Sequence, residues 1–130
     1  MDRDTISTLI RDLIARTALS LAHLPEMTPE QLNAHPGGHP NSPAWLLWHT
    51  GREIDVQLAH LSGEEEVWPQ IRESLGLGEL GDTLGYGHSA DQARAIRSDD
   101  FRGLVNYIDR VLAAATRHAA QVENWGEVID

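Results

Sequence analysis

The chain has 130 residues, enough for one domain with a buried core, and a formal net charge of −10 from 20 acidic and 10 basic residues. This charge balance argues against nucleic acid or an anionic membrane surface as a partner, because binding to either needs a basic patch. The absence of cysteine excludes disulfides, so any metal must be bound by His, Asp or Glu. With no signal peptide and no run of about 18 apolar residues, the sequence predicts a cytoplasmic protein.

Apolar residues recur along the chain at steps of three and four, which is the spacing of one buried helix face. This spacing predicts three long helices, over residues 4–23, 43–61 and 99–121. Capping residues, prolines and glycines between them predict short helical pieces near 68–75 and 89–96. Because no segment alternates as a strand would, we expect an all-α fold in a single domain over residues 1–130.

The second predicted helix carries the candidate site. Ser42 is a good N-cap and Pro43 occupies the first helical position, where its missing N–H costs nothing. On a helical wheel His49, Glu53 and His60 fall within about 40° of each other, away from the apolar face. An imidazole and a carboxylate one turn apart can bind the same divalent cation. An ordinary solvated polar face has the same spacing, so both interpretations stay open.

Two tryptophans, Trp45 and Trp48, precede His49 on the same helix, and we expect both to have a structural role. Trp48 points close to the apolar face, so its packing, together with that of Trp45, would fix the rotation of the helix. Arg52 and Asp55, three residues apart, are expected to form an exposed or partly buried ion pair of little energetic weight. No Ser-His-Asp or Cys-His arrangement can be assigned, so no catalytic residue is predicted.

Two runs of the chain resemble those of a known family. They are residues 41–49 (Asn-Ser-Pro-Ala-Trp-Leu-Leu-Trp-His), with Arg52, Asp55, Leu61-Ser62-Gly63 and Val67-Trp68 after them, and residues 82–89 (Asp-Thr-Leu-Gly-Tyr-Gly-His-Ser). Both are similar to signatures of the DinB-like superfamily, in particular of the actinobacterial branch related to mycothiol-dependent metalloenzymes. The resemblance covers the chain from residue 5 onward.

This resemblance implies an up-down-down-up four-helix bundle with a divalent metal, zinc or nickel, at one end. His49 matches the helix-two metal ligand of many members, and we expect Arg52, Asp55, Tyr86 and His88 to line the cleft around it. Members of known activity are thiol transferases or isomerases that use mycothiol or bacillithiol. The resemblance therefore favours a metal-dependent thiol S-transferase that takes a small-molecule thiol or electrophile, with mycothiol as a co-substrate.

The family's fourth long helix has no counterpart before Asp130. We therefore expect either a C-terminally incomplete chain or a bundle completed by a second copy, as a homodimer. Little or no activity is expected of these 130 residues alone. The alternative function is a non-catalytic helical binding or stress-associated module that keeps the fold and has lost the metal site.

Overall fold

The computed structural model describes residues 1–127, and this part of the chain is all-helical, as predicted. Two short 3-10 turns, at Pro36–Gly38 and Glu79–Asp82, lie between the α-helices. The α-helices are α1 (Arg3–Ala22), α2 (Pro29–Leu32), α3 (Pro43–Ser62), α4 (Trp68–Leu75), α5 (Ala90–Ala95) and α6 (Phe101–Gln121). The three predicted long helices correspond to α1, α3 and α6. No helix within residues 1–127 is long and apolar enough to cross a membrane.

The helix ends follow from local sequence. The side chains of Asp2, Ser42 and Asp100 each accept a hydrogen bond from a backbone N–H three residues later, which caps the three long helices. Helix α3 ends at Gly63, whose φ of 74° is left-handed and is readily adopted only by glycine. These interactions are all short in sequence, which is why the boundaries could be predicted closely.

Helix α6 is the central element, and α1, α3 and α4 pack against it. The approach of α3 to α6 is close at Gly51, where an added Cβ would lie 2.5 Å from two ring carbons of Tyr107. The start of α1 is held to the end of α6 by Arg3, whose Nε and Nη2 donate to the carbonyls of Val122 (2.7 Å) and Ala120 (2.8 Å). The result is a bundle in which α1 and α3 flank one shared helix.

The buried face of α3 is not the face that the helical wheel marks as most apolar. The residues that α3 buries are Ala44, Trp45, Trp48, Gly51, Arg52 and Asp55. The apolar row Leu47, Ile54, Leu58 and Leu61, called here the α3 stripe, is only half-buried, and Leu61 is 50% exposed. Helix α1 is also thinly covered, since Leu9, Leu13 and Leu19 are exposed. Two apolar helix faces are thus left open to solvent in the described chain.

Candidate functional site

His49 lies in the N-terminal half of α3 and is held in a defined orientation. Its ring stacks on Trp45, one turn earlier, with ring centroids 4.4 Å apart. Its Nδ1 lies 2.5 Å from the carbonyl oxygen of Leu84. Because a carbonyl oxygen can only accept, Nδ1 must carry a proton, so the neutral form of the ring has its lone pair on Nε2. That Nε2 is 3.9 Å from Oε1 of Glu53.

This arrangement is the one that metal-binding histidines adopt, with one ring nitrogen donating to a carbonyl and the other free to bind. The side chains of His49 and Glu53 are 27% and 31% exposed, so a small molecule can reach both. Two atoms that share a tetrahedral zinc lie about 3.4 Å apart, so 3.9 Å requires only a small side-chain movement. The pair therefore fits two ligands of a divalent metal.

A third ligand is not placed beside this pair. Within residues 1–127 there is no group of three or more His, Cys, Asp or Glu side chains that could hold a metal ion. His60 is exposed and lies eleven residues further along α3, about 16 Å away along the helix axis. The structure thus brings His49 and Glu53 together and leaves His60 apart from them.

His88 lies beside His49, but both of its nitrogens are engaged. Trp45 Nε1 donates to its Nδ1 (3.2 Å), so Nε2 carries the proton and donates to Thr83 Oγ1 (2.9 Å), whose hydroxyl donates to the carbonyl of Leu80 (2.7 Å). Burial lowers the pKa of His88, and the neighbouring His49 lowers it further. His88 therefore connects Thr83 to Trp45 as a neutral side chain.

The other predicted cleft residues are placed differently. Tyr86, between Gly85 and Gly87, is 87% exposed, so it does not line an enclosed cleft. Arg52 and Asp55 were expected to form an exposed or partly buried ion pair, but they are only 3% and 2% exposed and lie in the core. Their Nη1–Oδ2 separation is 3.8 Å, and each has stronger partners elsewhere.

Asp55 joins three helices through its carboxylate. Oδ1 accepts from the backbone N–H of Val67 (2.8 Å), and Oδ2 accepts from that of Trp68 (2.9 Å), so the carboxylate caps the start of α4. Oδ2 also accepts from the hydroxyl of Tyr107 on α6 (2.7 Å). Burial, and then this bond to Asp55, raise the pKa of Tyr107 above its usual range, so the phenol stays protonated.

Arg52 joins α3 to the loop after α4. Its Nε and Nη2 donate to the carbonyls of Thr83 and Asp82 (3.0 Å each), and its Nη1 donates to Glu66 Oε1 (2.8 Å). Burial acts to lower the pKa of Arg52, but the interactions with Glu66 and Tyr107 together outweigh burial and raise the pKa. The guanidinium is therefore a permanent buried charge with satisfied partners.

The sequence marked residues 82–89 as a family signature, but it did not predict that residues 82–85, called here the 82–85 loop, would contact α3 through their backbone. Its contacts to α3 are made by backbone carbonyls, which leave no side-chain signal in the sequence. Gly85, with a φ of 88°, is the one local indication that the chain must turn closely against another element.

An open groove adjoins the candidate ligands. It has a volume of 290 Å³ and is lined by Glu53, Ile54, Gln57, Leu58, Leu61 and Ala115. The described chain is thus a helical bundle in which Glu53 lines an apolar groove and His49 lies next to Glu53.

The family model of the DinB superfamily matches residues 12–128, so the chain belongs to that superfamily. The chain is similar to the crystal structure of a conserved protein from Enterococcus faecalis, with 26% identity and a TM-score of 0.72. That similarity covers 100% of this chain and 78% of the other. No curated protein matches the chain.

Proposed function

We propose that this DinB superfamily chain is a cytoplasmic, divalent-metal-dependent enzyme of the thiol S-transferase type, related to the mycothiol-dependent branch. His49 binds zinc or nickel through Nε2, and Glu53 is the second ligand. The observation that carries the proposal is the state of His49: Nδ1 is fixed on a carbonyl while Nε2 is free, accessible and 3.9 Å from a carboxylate.

The chain's own residues would bind and orient the reactants. A cation held by two side chains keeps open positions, as catalytic metals do, and when bound it would stabilise a thiol such as mycothiol as the thiolate. The groove beside Glu53 has mainly apolar lining residues and suits a small electrophile. The side chain of His49 remains 27% exposed within the described chain, and we expect little activity from a single copy.

Metal binding tests the proposal directly. Purified wild-type protein, loaded with zinc or nickel and dialysed, is expected to retain about one metal ion per chain in elemental analysis. His49→Ala is expected to lose it, because the Nε2 ligand is removed. His60→Ala is the matched control, since it removes an exposed histidine from the same helix and should retain the metal. Retention by folded His49→Ala would contradict the proposal.

The alternative is a non-catalytic helical module that has lost the metal site. It is favoured by one observation, which is that residues 1–127 provide no cluster of three metal-binding side chains. Folded wild-type protein that retains neither zinc nor nickel would support this alternative over the enzyme.

We also propose that the chain forms a homodimer in which a second copy covers the α3 stripe. The support is the pair of open apolar faces, on α3 and on the exposed leucines of α1. A two-fold axis lets the same apolar surface cover itself on both chains. The second copy would then also close the groove beside Glu53, which the stripe residues Leu58 and Leu61 line.

Light scattering tests this assembly. The wild-type protein is expected to have twice the mass of one chain, and Leu61→Glu is expected to shift the population to monomer because it places a charge on the stripe. Leu61 is 50% exposed, so this substitution should not unfold the chain. His60→Glu, on the neighbouring exposed face, should leave the mass unchanged. A wild-type protein that is monomeric at high concentration would rule out the dimer.

A further inference from the structure

The 82–85 loop is bound to α3 through consecutive backbone carbonyls. Arg52 holds the first two, those of Asp82 and Thr83, at 3.0 Å. The third, that of Leu84, accepts the hydrogen bond from Nδ1 of His49. Arg52 and His49 lie three residues apart on the same helix, so the contact that fixes Arg52 on the loop also sets the distance between Leu84 and His49.

The start of this loop is held from its other side as well. The carboxylate of Asp82 accepts from Trp68 Nε1 (2.7 Å) and from Nε and Nη2 of Arg72 (2.6 and 3.0 Å). The bond from Arg72 and the bond from Trp68 lower the pKa of Asp82, so the carboxylate stays charged at neutral pH. The first residue of the loop, Asp82, is therefore held in place by contacts that do not involve His49.

Gly85 completes the contact at the far end of the loop. An added Cβ at Gly85 would lie 2.8 Å from Trp48 Cζ3, 2.9 Å from His49 Nδ1 and 3.0 Å from Trp45 Cζ2. These distances are below van der Waals contact with rings that are themselves packed. Only glycine lets the backbone come near enough for the carbonyl of Leu84 to reach His49.

We propose that Arg52 and Gly85 are positioning residues of His49, which hold the Leu84 carbonyl on Nδ1 and so fix the ring tautomer that leaves Nε2 free. The ring nitrogen that is available for binding is set by the hydrogen bond that the other nitrogen makes. Without this carbonyl, the ring can place its proton on Nε2 and block the binding atom. This inference deepens the proposed function and rests on it for its consequence, whereas the tautomer itself is a property of the metal-free chain.

Gly85 in the 82–85 loop and Gly87, two residues after it, provide a matched pair for the test. Gly85 and Gly87 have positive φ values of 88° and 75°, so alanine strains the backbone at both. At Gly87 nothing lies within 4 Å of an added Cβ, whereas at Gly85 the three rings are in contact. Both substitutions therefore strain the backbone, but only Gly85→Ala is expected to push the 82–85 loop away from His49.

Nitrogen-15 NMR of histidine-labelled, metal-free protein reads the tautomer. Wild type and Gly87→Ala are expected to show His49 protonated at Nδ1, and Gly85→Ala is expected to shift it toward protonation at Nε2. Arg52→Lys keeps the positive charge beside Glu66 but loses the planar guanidinium that donates to two carbonyls at once. This variant is expected to shift the His49 tautomer in the same direction. A wild-type His49 protonated at Nε2, or a Gly85→Ala spectrum identical to wild type, would overturn the proposal. If folded Arg52→Lys keeps the wild-type tautomer, Arg52 is not a positioning residue of His49.

Zinc titration separates this proposal from the proposed function. Gly85→Ala is expected to bind zinc about 10–100-fold more weakly than Gly87→Ala, the usual effect of losing the partner that orients a ligand. If wild type binds no zinc while the tautomer responds as expected, the metal function fails and the positioning role stands. If zinc binds equally to both variants, the positioning role fails and the metal function stands.

Discussion

Asp55→Ala is expected to lower the free energy of unfolding by about 3–5 kcal/mol, because it removes a buried carboxylate beside Arg52 and leaves three hydrogen-bond donors without their acceptor. The N–H groups of Val67 and Trp68 lose their acceptor at the start of α4, and the hydroxyl of Tyr107 loses its own. Arg52 also loses a nearby negative charge and keeps only the carboxylate of Glu66.

Urea unfolding followed by circular dichroism measures this loss. Asp12→Ala is the control, since Asp12 pairs with Arg16 on the surface of α1 and both side chains are more than half exposed. An exposed pair at this spacing contributes under about 1 kcal/mol. Equal, small effects of the two substitutions would mean that the Asp55 network does not hold α4 in place.

The long helices could be predicted from the sequence because the interactions that set them are local. The side chain of Ser42 accepts from Trp45 N at 3.0 Å, and the capping boxes at Thr28 and Ser89 also span three residues. Such contacts are visible in the spacing of residue types. The pairing of His49 with Glu53 could also be predicted from the sequence, because the two residues are one helical turn apart.

The rotation of α3 could not be predicted in the same way. The helical wheel indicated the α3 stripe as the buried face because it ranks the faces of a helix by hydrophobicity alone. The face that is buried instead carries Arg52 and Asp55, whose partners lie 12 to 52 residues away in sequence. A buried charge is stable only where such partners converge, and their convergence is a property of the tertiary fold.

The state of His49 was beyond sequence reasoning for a related reason. Its partner is the backbone carbonyl of Leu84, 35 residues further along, and every residue type has such a carbonyl. The resemblance to a family indicated which histidine to consider. The structure adds which of its nitrogens is free, and this decides what the side chain can bind.

Trp48→Ala is expected to cost about 3–5 kcal/mol of unfolding free energy, as is usual for the loss of a buried tryptophan. Trp48 is fully buried, and its Nε1 donates to the carbonyl of Gly81 at 3.0 Å. The ring of His88 stacks on it with centroids 5.5 Å apart, and Gly85 packs on its edge. The substitution thus removes the support beneath both ends of the 82–85 loop.

Two matched variants divide this effect into its parts. Leu46→Ala changes a side chain that is 51% exposed on the same helix, and it should alter stability by less than about 1 kcal/mol. Trp48→Phe keeps most of the apolar volume but leaves the carbonyl of Gly81 without its donor, at a cost of about 1–3 kcal/mol. Because the loop depends on Trp48, folded Trp48→Phe should also weaken the bond between His49 Nδ1 and Leu84. A Trp48→Ala protein as stable as Leu46→Ala would show that the tryptophan is not the anchor of this end of the bundle.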